Sequence, residues 1–210
     1  MLESPIPNNQ EVTVMVAQTT FAVLTILGRH YRVEYLEKAE ARLRPGVRGE
    51  FALYSEHPLL LCYNSRSATV YINSKAQDSE ALFFRIREQI QAGFQGWRDW
   101  RCVLFGKEKG GENLLRKNLA DGSGMLLESA PVTIAKAVIA ACAEYGASTY
   151  CIGGLNEDTP VASSYHLLLI GDGYVIARDF RFTEVFYKNI PTSKSRILIP
   201  IKGTTTPPNP

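Results

Sequence analysis

The sequence predicts an α+β fold, a mostly antiparallel sheet packed around a buried central helix, and three observations carry that prediction. Runs rich in Val, Ile, Thr and aromatic residues are punctuated by Gly, Pro and Asn, as in consecutive strands. Residues 130–145 are apolar on almost every side, as a helix buried by other elements must be. Strands come in runs with one or two further helices between them, rather than in strict alternation.

The first strands fall at Val12–Val16 and Phe21–Leu27, and Gly28-Arg29 turns the chain into a third near Tyr31. From Glu34 to Arg42 the residues are mainly Glu, Lys, Ala and Arg, stopped by Pro45-Gly46, which predicts a short helix. Strands follow at Glu50–Tyr54, Leu59–Tyr63 and Thr69–Ile72. Asp78 caps an amphipathic helix running to about Gln91, with Leu82, Phe83, Ile86 and Ile90 on one face and Gly93 and Gly96 closing it.

Arg101–Phe105 reads as a strand, Gly106–Gly111 as an exposed loop and Glu112–Leu119 as a short helix. After the linker Asp121-Gly-Ser-Gly124, Ser129 and Pro131 open the central helix and Gly146 ends it after Tyr145. A strand at Thr149–Ile152 precedes a hairpin, His166–Ile170 and Tyr174–Asp179 about Gly171-Asp-Gly173, and a last strand covers Arg196–Ile201. With no Pro/Gly/Ser-rich linker inside it, the chain reads as one domain over residues 11–202, with flexible ends at 1–10 and 203–210.

Composition narrows the function classes. The 210 residues are 45% hydrophobic and 21% charged, which excludes general disorder. The 23 basic and 21 acidic residues are interspersed, so no long-range field steers nucleic acid or an anionic membrane to the chain. No signal-peptide pattern opens it, and the Val12–Leu27 run is too short and too broken by Thr and Gln to span a bilayer. The four cysteines, Cys62, Cys102, Cys142 and Cys151, sit in apolar runs with no C-x-x-C spacing and read as small core residues. A reduced, cytoplasmic protein without cofactor or metal fits these features best.

Two candidate sites follow. Cys151, His166 and Asp179 combine a thiol, an imidazole and a carboxylate, with His166 and Asp179 near one end of the predicted hairpin. This layout resembles the histidine-bearing hairpin of papain-like and transglutaminase-like cysteine hydrolases. The resemblance covers about fifteen residues, and it implies a small hydrolase or transferase with Cys151 as nucleophile. It departs from those families in placing Cys151 on a strand rather than at a helix N-terminus.

The favoured reading is a non-catalytic interaction or regulatory protein that binds a protein partner. Its contact residues are Trp97 and Trp100, flanked by Arg98 and Arg101, and Lys107 and Lys109 in the following loop. That loop, Phe105–Asn113, lacks the Walker pattern and carries Glu108 and Glu112, which argue against phosphate. His30, His57 and His166 are too scattered to suggest zinc, and the Glu157-Asp158 loop has too few oxygens for calcium.

Overall fold

A computed structural model describes residues 6–106, 110–154 and 164–186. The chain sorts into two compact units, Met1–Leu53 with Leu168–Pro210, and Tyr54–Leu167. Both helix and strand are abundant, as the α+β class requires. The main sheet, however, is a closed barrel with the strand order β1-β2-β3-β9-β8-β4, not a sheet wrapped around a helix.

The barrel strands are β1 (Glu11–Ala17), β2 (Phe21–Ile26), β3 (Arg29–Ala41), β4 (Arg48–Tyr54), β8 (His166–Ile170) and β9 (Gly173–Val185). Its interior is filled by alternate residues of its own strands, among them Val12, Val14, Leu24, Val33, Phe51, Leu168, Ile170 and Val175. Register is set by apolar pairs such as Val14 opposite Leu24 and Tyr35 opposite Phe180. Closure leaves no exposed edge of this sheet to pair with another chain.

The helix predicted over Glu34–Arg42 is instead the second half of β3. Val33 and Tyr35 point inward at a spacing of two, and β9 supplies the backbone partners that a helix would have found internally. A bulge between Lys38 and Glu40, with Glu37 at φ 48°, takes up the misfit of these helix-favouring residues. Before β1, Ile6 is buried, and Asn8 Oδ1 accepts from the Leu53 amide at 3.1 Å.

The unit Tyr54–Leu167 holds a three-stranded antiparallel sheet in the order β6-β5-β7, from β5 (Ser67–Ile72), β6 (Gly124–Pro131) and β7 (Thr149–Gly153). Its helices are α1 (Leu61–Asn64), α2 (Ser79–Phe94), α3 (Gly111–Asp121) and α4 (Val132–Glu144). Asp78 caps α2 as expected, accepting from the amides of Glu80 and Ala81.

The central helix of the sequence reading is α4, and it is buried on one face only. Ile134, Ala135, Val138, Ala141 and Cys142 enter the core, while Thr133, Lys136, Ala140 and Ala143 are exposed. Alanine is small enough to tolerate solvent, so an alanine-rich helix need not be surrounded. Where α2 crosses it, Gly93 allows close approach, since a Cβ there would lie 2.8 Å from Ile134.

Two predicted strands are helical turns. Leu59–Tyr63 forms a 3-10 turn, Pro58–Leu60, leading into α1: Pro58 opens it and His57 Nδ1 accepts from the Leu59 amide at 3.2 Å. Trp100–Val103 is likewise a 3-10 turn, capped by Asp99, whose carboxylate accepts from the Arg101 amide at 2.9 Å. Only Leu104 bridges to the sheet, opposite Leu127. The predicted strand Arg196–Ile201 lies outside the described residues. Among the described residues no helix is long and apolar enough to cross a membrane.

Candidate functional site

The Tyr54–Leu167 unit carries an open cleft of about 620 Å³. Its apolar wall comes from Leu60, Leu61, Ala92 and Gly93, and Ser55, Gln95 and Thr133 supply polar groups. Three local features build it. The His57-Pro58 cap starts the turn that presents Leu60 and Leu61. On the other side α2 ends at Gln95 in the left-handed conformation (φ 50°), followed by Gly96 at φ 78°. That reversal lets the Trp97 amide donate to Phe94 C=O at 3.0 Å and lays the indole against His57, ring centroids 4.7 Å apart.

On its other side His57 meets Tyr54 at 5.2 Å. Because Nδ1 accepts a backbone hydrogen bond, neutral His57 carries its proton on Nε2. Burial holds its pKa below the ordinary value of 6.5, which favours this neutral form. Trp97 remains 45% exposed, and Tyr54 is exposed as well.

Helix α1 ties the cleft to two further features. Asn64 pairs with the Tyr165 backbone in both directions: its Nδ2 donates to Tyr165 C=O at 2.7 Å, and its Oδ1 accepts from the Tyr165 amide at 2.6 Å. The Tyr63 and Tyr165 rings meet at 5.4 Å, and the Arg98 guanidinium lies 5.5 Å from the Tyr63 ring centroid. Arg98 also donates to Leu59 C=O at 3.4 Å. The thiols of Cys62, on α1, and Cys102, on the Trp100–Val103 turn, hydrogen bond to each other. That bond, followed by burial, pushes the Cys102 thiol well above the ordinary range.

The residues singled out in the sequence distribute as follows. Trp97 is exposed beside His57, whereas Trp100 is 7% exposed and packs edge-on against Phe83 at 5.9 Å, so only the first of the pair is open to solvent. Lys107 and Lys109 lie outside the described residues, as does the Glu157-Asp158 loop. Cys151 sits in mid-strand on β7 opposite Val70, half-buried against the core, rather than at the start of a helix. His166 begins β8 in the Tyr54–Leu167 unit, and Asp179 belongs to β9 of the barrel unit, where its Oδ1 accepts from the Phe180 amide at 2.8 Å.

Of the four cysteines, Cys142 fits the core reading fully, its thiol pushed up to about 12 by burial. Cys62 does not; it is exposed, because a helical turn rotates it out where a strand paired in the sheet would not. Among the described residues no three His, Cys, Asp or Glu side chains gather in a way that could hold a metal ion. The cleft and the thiol pair both escaped the sequence reading. Their one local signal in the sequence is His57-Pro58, a capping side chain followed by a proline at the start of a helical turn.

No protein-family model, curated protein or solved structure matches this chain.

Proposed function

We propose that the chain is a non-catalytic binding protein that takes an extended segment of a protein partner in the cleft of its Tyr54–Leu167 unit. The observation that carries this reading is the exposed Trp97 indole, packed against His57, which itself lines the cleft. A large aromatic ring left in solvent but fixed by its neighbours loses little entropy on binding, and Trp and Tyr are enriched where interfaces concentrate their energy. The wall of Leu60, Leu61 and Ala92 suits an apolar side chain of the partner. Ser55, Gln95 and Thr133, with the Nε2–H of His57, suit its backbone amides and carbonyls.

The test is selection of displayed random peptides on the intact chain, followed by affinity measurement on the Trp97→Ala variant. Trp97 is exposed, so its removal leaves the fold intact, which circular dichroism checks. Selected peptides should lose about 30-fold in affinity, the equivalent of a hot-spot truncation near 2 kcal/mol. Failure to select any peptide, or equal binding by Trp97→Ala, overturns the reading.

A further inference from the structure

Cys62 and Cys102 are 40 positions apart in sequence, and the fold sets them side by side through contacts that involve neither sulfur. Arg98 reaches from the segment leading to Cys102 across to Leu59 C=O and the Tyr63 ring, on both sides of Cys62. These contacts bring α1 against the Trp100–Val103 turn, and the two thiols meet in a hydrogen bond. Cys62 is exposed and Cys102 half-buried, so one sulfur of the pair is open to a reagent and the other is held behind it. Both belong to the Tyr54–Leu167 unit.

We propose that Cys62 and Cys102 form a reversible disulfide, with exposed Cys62 as the attacking sulfur and Cys102 as the resolving one. The oxidant is a low-molecular-weight disulfide. The Cys62 thiolate attacks one of its sulfurs, the reagent's S–S bond breaks, and the departing thiolate takes up the proton Cys62 has lost. Cys102 then attacks Cys62 Sγ, displacing the second half of the reagent, which takes the Cys102 proton. Two protein thiols are oxidised to one disulfide, and the reagent is reduced to two thiols.

The arrangement suits each step. Forming the mixed disulfide on Cys62 removes the hydrogen bond that is the largest cause of the raised Cys102 pKa. Burial and Asp99 still oppose the Cys102 anion, and the Arg98 charge favours it. The sulfurs must close to about 2.05 Å for the bond to form. Cys142 is buried, and Cys151 is engaged against the core on β7, so neither competes for the reagent as Cys62 does.

The experiment treats the intact chain with glutathione disulfide, quenches in acid, alkylates the remaining thiols and maps tryptic peptides by mass. Trypsin cleaves after Arg66 and Arg101, so the two cysteines leave on separate peptides. The expected product is a Cys62–Cys102 linked peptide, lost on reduction, with Cys142 and Cys151 alkylated. Cys102→Ser should instead accumulate the glutathione adduct on Cys62, about tenfold or more above the wild-type level, because the wild-type adduct is resolved intramolecularly. The wild-type result needs no variant to fold. Full alkylation of Cys62 and Cys102 after treatment, or a bond from either to Cys142, Cys151 or a second molecule, overturns the proposal.

Discussion

Replacing Asn64 by alanine tests whether α1 organises the region around the cleft. The side chain makes two short hydrogen bonds to the Tyr165 backbone, at 2.7 and 2.6 Å, and both are lost. Each is worth about 1 kcal/mol net, and water can reach these part-buried groups, which limits the added cost of leaving them unpaired. The sum is about 2 kcal/mol, or about a 30-fold shift in the opening equilibrium of residues 164–167. Hydrogen exchange reads this directly, because the Tyr165 amide donates to Asn64 Oδ1. Its exchange should quicken by about 30-fold in Asn64→Ala if it proceeds by local opening.

Asn64→Asp refines the test. It keeps the acceptor for the Tyr165 amide but sets a carboxylate against the Tyr165 carbonyl, so protection should fall between wild type and Asn64→Ala. At a pH low enough to protonate the new carboxyl, its O–H can donate again and protection should recover. Were the Tyr165 amide to exchange at the same rate in wild type and Asn64→Ala, the two hydrogen bonds would not be holding this segment, and the reasoning would be refuted.

Other substitutions separate packing from exposure. Trp100→Ala should cost about 3–5 kcal/mol in urea unfolding, as loss of a buried ring does, while Trp97→Ala should stay within about 1 kcal/mol; similar costs would contradict their different burial. Gly124→Ala should destabilise by about 2 kcal/mol or more, since Gly124 has φ 125° and a Cβ would fall 2.6 Å from the Asn118 amide carbon. A neutral result in thermal unfolding would count against that geometry. His57, its pKa lowered by burial, implies that the unfolded chain takes up its proton first as pH falls. Its contribution to stability is intact above 6.5 and declines as pH drops from there toward the lowered folded value. His57→Asn keeps an acceptor for the Leu59 amide and should flatten this part of the stability–pH curve; an unchanged slope would place the titration elsewhere.

Some elements were legible because local chemistry and tertiary structure agree. Asp78 and the spacing of Leu82, Phe83, Ile86 and Ile90 mark α2, and Gly171-Asp-Gly173 marks the turn between β8 and β9. The candidate site was less legible. Trp97 could be named, but exposed Trp97 and buried Trp100 differ by three positions in a segment without regular periodicity. Only the left-handed turn at Gln95-Gly96 and the cap at Asp99 decide which ring faces the core.

By itself, then, the sequence determined the α+β class, the capped and amphipathic α2, the existence of the helix that becomes α4, and the β8–β9 turn. All of these rest on interactions between residues close in the chain. Tertiary structure alone decided that Glu34–Ala41 is strand, because β9 provides the partners that override helix propensity. It alone closed the main sheet into a barrel, since closure depends on β1 pairing with β4 across some 35 residues. The Cys62–Cys102 pair and the grip of Asn64 on Tyr165 belong to the same class. Contacts between residues 40 and 101 positions apart leave no periodicity in a sequence; they exist only once the packing of the intervening elements has set where each side chain ends.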